Sequence, residues 1–285
     1  MTAGLIAIDW GTTNRRVFVL AADGAVEDRL ADGLGILSVP DFPAAIADLR
    51  ARFGDRRMLL AGMVGSNRGW IEAPYVRCPA DLDALADGLA QAEGAAIVPG
   101  VCDDADVMRG EEVQLLGAVA AGLMATDGRA CLPGTHAKWA AFEGGAITGF
   151  RTVMTGEMFA LLRNHSILSG QLEGEVQPGP AFAEGVRRAL ESGELLADLF
   201  GVRARGVLGS LAAADAPSYA SGLLIGSDIR IGLAFAGPDP VALIGDPRLT
   251  ALYAAALAEA GRRCTEIDGE QAFLAGIRAL AERLT

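Results

Sequence analysis

Residues 5–20 read LIAIDWGTTNRRVFVL, two apolar runs joined by a polar turn. Runs of this length, rich in Ile, Val, Leu and Phe, predict two strands and therefore a β-hairpin. The turn, DWGTTN, carries more polar chemistry than a hairpin needs. Glycine lets backbone amides approach an anion, hydroxyls and an amide add donors, and a carboxylate at a strand end can hold Mg²⁺ through water. We therefore predict a phosphate-binding loop. Its expected phosphate contacts are Gly11, Thr12, Thr13 and Asn14, and its metal-binding residue is Asp9.

Two other interpretations fit the same turn. It could be an ordinary hairpin turn with surface hydroxyls. An aspartyl-phosphate enzyme also places an aspartate after a strand, but it usually has a second carboxylate two residues later, where this chain has Gly11. Short motifs occur by chance, so neither interpretation is excluded by the turn alone.

Length and composition bound the class of protein. The 285 residues are enough for two domains, and 51% hydrophobic with 21% charged residues is typical of a globular protein. The formal net charge of -12 argues against a nucleic-acid partner, because a phosphate backbone attracts basic surface. Charged residues interrupt every apolar run, so none is long enough to cross a bilayer, and no membrane association is expected.

The start of the chain and the cysteines predict a cytoplasmic protein. The segment MTAGLIAIDWG has no basic residues before its short apolar run, so no export signal is expected. The four cysteines are widely spaced without a Cys-x-x-Cys pair, which favours free thiols in a reducing cytoplasm. His136 and His165, the two histidines, stand far apart, so a zinc site is not expected.

The order of the predicted elements indicates two similar halves. The first half begins with three strands and continues with alternating helices and strands, including helices over 41–53 and 81–92. After about residue 127, a hairpin with a Gly- and Thr-rich loop begins the pattern again. Two α/β halves would leave a cleft between them, and such clefts are common ligand sites. We therefore predict two domains, 1–127 and 128–285.

The hairpin loop of the second half, LPGTHAKW at residues 132–139, repeats the glycine and hydroxyl chemistry of the first. It also holds Lys138, the only lysine among 24 basic residues. An ammonium is a compact charge suited to phosphate oxygens. We therefore predict that Lys138 acts on a phosphate, with a solvated surface lysine as the alternative. The other expected phosphate contacts of this loop are Gly134, Thr135 and His136.

A third segment, VALIGDPRL at residues 241–249, predicts a strand that ends in glycine and opens a helix. Gly245 and Asp246 at this turn suit an adenosine lying against the backbone, although the same pattern is a common strand–helix turn. The chain contains neither Gly-x-x-x-x-Gly-Lys-Ser/Thr nor Gly-x-Gly-x-x-Gly, so Walker and Rossmann nucleotide sites are not supported.

Together, these motifs resemble a known family. The two hairpin loops and the later strand–glycine–helix resemble the phosphate and adenosine motifs of the superfamily of sugar kinases and actin. Within it, the blocks of this chain that resemble the 2-dehydro-3-deoxygalactonokinase family are, in order, IAIDWGTTNRRVF, AGMVGSNRGWIEAPYVRCPA, DVMRGEEVQLLG, LPGTHAKW and TVMTGEMFALLRNHSIL. The likeness extends over nearly the whole chain and is weakest over residues 170–220. It implies an α/β fold of two ribonuclease-H-like, actin-like ATPase domains facing an interdomain cleft.

The resemblance also implies a reaction. The expected enzyme uses ATP and Mg²⁺ to phosphorylate the 6-hydroxyl of 2-dehydro-3-deoxy-D-galactonate, a step of galactonate catabolism. Asp9 would hold Mg²⁺ through water, while Thr12, Thr13 and Asn14 would meet the β- and γ-phosphates. Catalysis of phosphoryl transfer is mostly positioning and charge neutralisation, which explains why the first turn is so polar.

The sugar acid must be held with its terminal hydroxyl toward the γ-phosphate. GSNRGW, residues 65–70, follows a predicted buried strand and offers Asn67, Arg68 and Trp70. A guanidinium can bind a carboxylate bidentately, and an indole can cover an apolar sugar face; the alternative is a capped loop with a surface arginine. Glu157, at the start of a predicted helix, either lines the sugar pocket or is an ordinary N-terminal helix acid.

A hydroxyl that attacks phosphorus benefits from a carboxylate that accepts its proton. Acids also stabilise a helix N-terminus through the helix dipole, so capping is the simpler explanation for any acids found there. Four acids of the segment DADVMRGEE are expected to gather at such a terminus: Asp104, Asp106, Glu111 and Glu112. Kinases of the superfamily place an acidic base near the corresponding helix. Our first choice for the base is Glu111, and our second is Asp106.

Two alternatives to this function stay open. A kinase for another small sugar acid would use the same machinery with a different pocket. A nucleotide-binding sensor or chaperone-like module would bind nucleotide without a sugar substrate, but the chain shows neither a basic DNA-binding extension nor a long peptide-binding domain. The expected partners are therefore ATP and a small sugar acid, and self-association is left open.

Overall fold

The hairpin predicted for residues 5–20 is confirmed. Leu5–Trp10 pairs antiparallel with Arg15–Leu20, with Leu5 opposite Leu20 and Trp10 opposite Arg15. The structure is a computed structural model that describes residues 4–235 and 240–284. Residues 1–3, part of the segment from which no export signal is expected, lie outside the described residues.

The strands are, in chain order, β1 (Leu5–Trp10), β2 (Arg15–Leu20), β3 (Val26–Asp32), β4 (Arg57–Gly62), β5 (Val76–Arg77), β6 (Ala90–Ala92), β7 (Ala95–Ile97), β8 (Val101–Cys102), β9 (Val107–Met108), β10 (Gly128–Leu132), β11 (Ala137–Glu143), β12 (Ala146–Val153), β13 (Val241–Gly245) and β14 (Cys264–Asp268). The α-helices are α1 (Phe42–Phe53), α2 (Leu82–Asp87), α3 (Glu111–Ala120), α4 (Thr155–His165), α5 (Pro180–Ser192), α6 (Leu195–Val207), α7 (Ala216–Phe235), α8 (Pro247–Glu259) and α9 (Gly269–Arg283). Within the described ranges, none of these helices is long and apolar enough to cross a membrane.

The chain divides into two units. Unit 1 comprises Met1–Thr126, Gly144–Gly149 and Glu270–Thr285, and unit 2 comprises Asp127–Glu143 and Phe150–Gly269. This differs from the predicted division, which placed all of residues 128–285 in the second domain. The last helix, α9, belongs to unit 1.

Unit 1 is built on a six-stranded sheet of order β3-β2-β1-β4-β7-β6. β1, β4 and β7 run parallel, and the other three strands pair antiparallel. On one face, Ile8 and Leu60 pack against Ile46 of α1. On the other face, the ring of Phe18 lies 5.8 Å from that of Phe273 in α9, between centroids. The alternation of side chains along the strands thus gives both helices an apolar surface to cover.

Unit 2 is built on a five-stranded sheet of order β12-β11-β10-β13-β14, in which β10, β13 and β14 run parallel. Its core joins residues of two strands to residues of three helices: Trp139 of β11, Leu243 of β13, Phe182 of α5, Ile229 of α7 and Tyr253 of α8.

The two sheets share the order of five strands, and unit 1 adds the antiparallel strand β6 at its edge. In each, an antiparallel hairpin and a third strand are followed by parallel strands on the far side of the first strand. This is the ribonuclease-H-like arrangement predicted for both halves, and the α/β fold class is confirmed. Because β1 and β4, and likewise β10 and β13, run parallel, their carboxyl ends meet at one edge of their sheet. The turns that follow these strands therefore lie side by side, as at ligand sites of α/β sheets.

The helix predicted over residues 81–92 is only half correct. α2 ends at Asp87, and residues 90–92 form β6 instead. Glu93 (φ 44°) and Gly94 (φ 79°) adopt left-handed backbone, which gives a two-residue turn that pairs β6 with β7. The apolar periodicity continues past the true end of the helix, so the pattern alone predicts too long an element.

Candidate functional site

The backbone of the first turn, residues 11–14, is hydrogen-bonded to the segment after β3. The N–H of Ile36 donates to the carbonyl of Gly11 at 3.0 Å, and the N–H of Gly35 donates to that of Thr13 at 3.2 Å. A Cβ on Gly35 would lie 2.4 Å from the Cα of Thr13, so only glycine allows this approach. Because the backbone is fixed in this way, the two hydroxyl side chains and the amide of the turn are presented to solvent.

A cavity of about 620 Å³ opens beside this turn. Its lining residues come from the turn and from the neighbouring strand ends: Asp9, Gly11, Thr12, Thr13, Asn14, Arg15, Arg16, Ala31 and Asp32. The structure thus brings every residue predicted for the first phosphate loop to one cavity.

Asp9, at the end of β1, pairs with Arg16, a residue for which no role was predicted. Arg16 sits directly opposite Asp9 in the hairpin, and its Nε and Nη2 both donate to Oδ2 of Asp9, the former at 3.1 Å. The adjacent Arg15 points to the other face and pairs with Asp32, with Nη2 and Oδ2 2.7 Å apart. Arg16 could have been found from the sequence, since the register of a hairpin with so short a turn places it across from the carboxylate.

Two glycines bring a distant segment to Asp9. Gly62 ends β4 with φ 92°, and a Cβ there would lie 2.8 Å from the carbonyl oxygen of Trp10 and 3.4 Å from Oδ1 of Asp9. Gly110, which precedes α3 with φ 105°, would place its Cβ 3.2 Å from the Cα of Gly62. Side chains at either position would be strained and obstructed. The N-terminus of α3 is therefore next to the C-terminal end of β1, where Asp9 lies.

The acids predicted to share this helix terminus do not all lie there. Glu111 and Glu112 begin α3. Asp104 and Asp106 lie on the turn between β8 and β9, where the carboxylate of Asp103 accepts the N–H of Asp106 at 2.9 Å. The prediction that the four acids gather at one N-terminus is wrong, because the strand β9 separates the two pairs. Glu111, our first choice for the base, is at the α3 terminus, and Asp106, our second, is not; which of them accepts a proton stays a prediction.

Glu112 is fully buried, and both of its carboxyl oxygens accept the N–H of Gly110, at 2.8 and 2.6 Å. Burial and the nearby Glu111 raise the pKa of Glu112 from 4.5 to about 8. The hydrogen bonds from backbone N–H groups and the charge of Arg109 lower this pKa, but by less. Burial therefore favours the protonated form of Glu112. Its position fits a residue that fixes the turn at Gly110, and not one that reaches a substrate.

We expect the protein to lose stability as the pH rises from about 5 to about 8, because of Glu112. Over this interval the unfolded chain, in which the pKa is 4.5, has largely lost the Glu112 proton, whereas the folded chain still binds it, and this difference favours unfolding increasingly as the pH rises. Glu112→Gln removes the titrating group, so the free energy of unfolding of the variant should fall less, by on the order of 2–4 kcal/mol. Urea unfolding at both ends of the interval measures this difference. If the free energies of unfolding of the wild type and of Glu112→Gln changed equally with pH, the expectation would be contradicted.

The GSNRGW loop follows β4 and places Asn67 and Arg68 at its exposed tip. The N–H of Trp70 donates to the carbonyl of Val64 at 2.8 Å, which closes the loop. The Trp70 ring stacks on that of Phe42, with 6.5 Å between centroids and 12° between planes. One face of the indole therefore anchors the loop to the core of unit 1.

Arg109 lies beneath this loop and was not predicted. Its side chain is 9% exposed, Nη2 donates to the carbonyl of Ala73 at 2.8 Å, and the guanidinium lies 4.3 Å from the centroid of the Tyr75 ring. A Cβ on Gly65 would lie 2.9 Å from Nη1. The cation–π contact and the carbonyl hold the segment that carries the loop. Its place in the MRGEE block, between a strand and α3, was the available signal.

In unit 2, the turn at residues 133–136 joins β10 to β11 and exposes Thr135 and His136. Lys138 is not part of this turn. It is the second residue of β11, opposite Leu132, and its side chain is 4% exposed. Its Nζ donates to the carbonyl of His136 at 3.3 Å. The predicted loop position and the alternative of a surface lysine are both corrected, because strand pairing turns this side chain into the interior.

The N-terminus of α4 lies against the same turn. The N–H of Glu157 donates to the carbonyl of Thr135 at 2.9 Å, and Nε2 of His136 donates to Oε2 of Glu157 at 2.6 Å. A Cβ on Gly156 would lie 2.5 Å from the carbonyl oxygen of Gly134. Glu157 is therefore a neighbour of the second loop, and its role in a sugar pocket stays a prediction.

The predicted adenosine motif lies at the same sheet edge. A Cβ on Gly245 would be 3.7 Å from the carbonyl oxygen of Pro133, and Gly245 ends β13 beside the second loop. The carboxylate of Asp246 accepts the N–H of Arg248 at 2.9 Å and so caps α8. The Asp246 side chain thus caps the helix, while Gly245 is half-buried, and its contact with adenosine stays a prediction.

The residues at the first loop fit Mg²⁺ bound together with a nucleotide. Groups of three or more His, Cys, Asp or Glu side chains arranged around a metal are absent from residues 4–235 and 240–284. Magnesium is commonly held by one or two carboxylates, several waters and substrate phosphates, so one carboxylate that faces an open cavity is sufficient. Asp9 is such a carboxylate.

The chain is similar to known proteins over nearly its whole length. The model of the family described as 2-keto-3-deoxy-galactonokinase matches residues 9–280. A 2-dehydro-3-deoxygalactonokinase of Escherichia coli K12 is 38% identical over 99% of this chain and 98% of its own. A crystal structure of a Sinorhizobium meliloti protein described as a 2-dehydro-3-deoxygalactonokinase superposes with a TM-score of 0.93 at 34% identity, over 98% of this chain and 99% of that one.

A more distant structure shares only the fold. The activator of the 2-hydroxyisocaproyl-CoA dehydratase of Clostridium difficile, solved with bound ADPNP, superposes with a TM-score of 0.52 at 11% identity, over 99% of this chain and 96% of that one.

Proposed function

The chain belongs to the 2-keto-3-deoxy-galactonokinase family, and from this we infer that it is a carbohydrate kinase that uses ATP to phosphorylate 2-dehydro-3-deoxygalactonate. The observation that carries the inference is the first loop. A carboxylate, two hydroxyls and an amide line one cavity, and hydrogen bonds from Gly35 and Ile36 fix the loop backbone. Phosphoryl transfer needs such a fixed set of donors and a metal-binding carboxylate. We further propose that the product is the 6-phosphate of the D-sugar acid.

The residues around the first loop then have the following roles in our proposal. When bound, Mg²⁺ supplies charge neutralisation at the phosphate oxygens. Asp9 would hold this ion, and Arg16, which donates to Oδ2 of Asp9, keeps the carboxylate in place. Thr12, Thr13 and Asn14 donate hydrogen bonds to phosphate oxygens. This arrangement lowers the barrier mainly by positioning, since the groups need no rearrangement during the reaction.

We assign the sugar acid to the GSNRGW loop and the α3 terminus. Asn67 and Arg68 are exposed at the loop tip, and Trp70 anchors it. Arg68 would bind the substrate carboxylate, and Glu111 would accept the proton of the attacking hydroxyl on a carboxylate oxygen.

We assign the turn at residues 133–136 of unit 2 to phosphate binding and the backbone at Gly245 to adenosine. Lys138 would act on the turn through the carbonyl of His136, to which its Nζ donates.

Loss of Arg68 should affect the sugar acid and not the nucleotide. We expect Arg68→Ala to raise the KM for the sugar acid by about 10- to 150-fold, which corresponds to the loss of a charged hydrogen bond of about 1.5–3 kcal/mol. The KM for ATP should stay near the wild-type value. Steady-state kinetics with each substrate varied in turn measures both constants.

Arg77→Ala is the matched control, since Arg77 is also an exposed arginine of unit 1 and pairs with Asp104 on the β8–β9 turn. It should leave both KM values unchanged. A proportional rise of both constants in Arg68→Ala would indicate a structural role for Arg68.

The proposed reaction is tested by ADP formation with a panel of 2-keto-3-deoxy sugar acids. Purified protein should release one ADP per acid consumed, with the highest kcat/KM for 2-dehydro-3-deoxygalactonate, and phosphorus NMR should place the new ester on the terminal carbon. A higher kcat/KM for another acid would reassign the substrate. ATP binding without acid-dependent turnover would favour the nucleotide-binding sensor.

We also propose a cytoplasmic location and no nucleic-acid partner. All four cysteines are free thiols in the structure, which suits a reducing compartment. The net charge of -12 would repel a phosphate backbone. Whether the enzyme forms a homo-oligomer is a separate question that light scattering answers.

A further inference from the structure

Asp228, in the middle of α7, is fully buried and accepts hydrogen bonds from three other elements of unit 2. Nε1 of Trp139 in β11 donates to Oδ1 at 2.7 Å, and the hydroxyl of Thr155 in α4 donates to Oδ2 at 2.6 Å. The hydroxyl of Tyr253 in α8 also donates to Oδ2. Burial raises the pKa of Asp228, and the three donors lower it. A buried carboxyl group is costly, so a set of three convergent donors needs an explanation.

Two of the three donors flank the second loop. Trp139 follows the turn at residues 133–136 by three positions along β11. Thr155 is the first residue of α4, whose next two residues contact the turn: Gly156 lies against Gly134, and the N–H of Glu157 donates to the carbonyl of Thr135. One carboxylate therefore fixes both sides of this loop.

The helix that carries Asp228 is itself held closely. A Cβ on Gly226 would lie 2.8 Å from the carbonyl oxygen of Val186 in α5, and a Cβ on Gly222 would lie 2.2 Å from that of Phe182. Backbone therefore packs directly on backbone, without flexible side chains between the two helices. Asp228 is therefore carried by a helix that packs closely against α5.

We propose that Asp228 is a positioning residue for nucleotide binding. Through the Thr155 hydroxyl it holds the N-terminus of α4 against the turn at residues 133–136, so that the turn keeps the shape that ATP phosphates require. This rests on the proposed function for the identity of the ligand. It assigns a role to a buried carboxyl group that the phosphoryl-transfer chemistry does not use.

Tyr253 provides an internal control. It donates to the same oxygen, Oδ2 of Asp228, as Thr155 does, but it comes from α8. Thr155→Val and Tyr253→Phe each delete one hydroxyl donor and keep the shape of the side chain. Their effects on stability should be similar, whereas only Thr155→Val releases the α4 terminus.

We expect Thr155→Val to raise the KM for ATP, and the calorimetric Kd for a non-hydrolysable ATP analogue, by about tenfold or more, as when a charge-assisted hydrogen bond is lost. The KM for the sugar acid should change less than about twofold in the same variant. Tyr253→Phe should bind the analogue as the wild type does, and Thr155→Ser, which retains a hydroxyl, should restore tight binding. Thr155→Ala replaces Thr155→Val in this comparison should the latter not fold.

Equal nucleotide affinities of the Thr155→Val and Tyr253→Phe proteins would overturn the proposal. So would an equal rise in the KM of both substrates. A wild-type protein that shows no acid-dependent ATP consumption would overturn the proposed function instead, and the calorimetric comparison would still decide the role of Asp228.

Discussion

Replacing Asp9 by asparagine should lower kcat by on the order of 10²–10³ while the protein stays folded. The carboxylate lies at the end of β1, faces the cavity beside the first loop and is oriented by Arg16. Asparagine keeps the size and one oxygen but removes the charge that, in the proposed function, would hold Mg²⁺. The ATP phosphates would then be poorly aligned in the transition state. Initial rates at saturating ATP and sugar acid, with circular dichroism to verify folding, measure the effect.

Asp32→Asn is the matched control for this substitution. Asp32 lines the same cavity and also pairs with an arginine, with 2.7 Å between its Oδ2 and Nη2 of Arg15. Its side chain is 23% exposed, against 18% for Asp9. Loss of an ion pair alone would therefore affect both variants alike. A folded Asp9→Asn protein with wild-type kcat, or an equal loss in Asp32→Asn, would remove the first loop from the mechanism.

Glu111→Gln should lower kcat by on the order of 10²–10⁴, the usual contribution of a general base, and leave the KM for ATP nearly unchanged. Glu111 begins α3 directly after Gly110, which packs against Gly62 beside Asp9. Glutamine retains an oxygen that can accept the N–H of Arg109, as Oε2 of Glu111 does at 3.0 Å. The loss of rate would then report on proton transfer and not on the helix cap. Rate measurements at high substrate concentration test this.

Asp106→Asn serves as the comparison, because Asp106 was the second choice for the base. Its Oδ1 accepts the N–H of Val107 at 2.8 Å on the β8–β9 turn, a bond that asparagine can also make. We expect a kcat within a few-fold of wild type. The reverse order of effects would identify Asp106 as the base, and two unaffected variants would mean that neither acid accepts the proton.

Much of the fold could be predicted because its signals are local. The apolar runs around the turn at residues 9–14 predicted the first hairpin, and a similar pattern at 132–139 predicted the second. Both hairpins are present, and five strands of each sheet follow the same order. Hydrophobic alternation acts through neighbouring residues, so a strand that is buried on one face is recognisable without knowing its partners.

The first loop was predictable for the same reason. Its chemistry is concentrated in six consecutive residues, residues 9–14, and the structure brings all of them except the buried Trp10 to one cavity. The acids around α3 were less predictable, because residues adjacent in sequence can belong to different elements. Two residues of β9 were enough to separate Asp106 from Glu111.

Tertiary structure alone decided which polar groups are buried and what they contact. The sequence by itself determined the two hairpins and placed Asp9 and residues 11–14 together in one polar turn, and its resemblance to a known family implied the ribonuclease-H-like arrangement. It did not indicate that Lys138 is 4% exposed, that burial raises the pKa of Glu112, or that hydrogen bonds to Asp228 join α7 to β11, α4 and α8. The physical reason is that the free energy of a buried charge depends on hydration and on donors that come from distant parts of the chain. Such donors meet only when the helices and strands have packed.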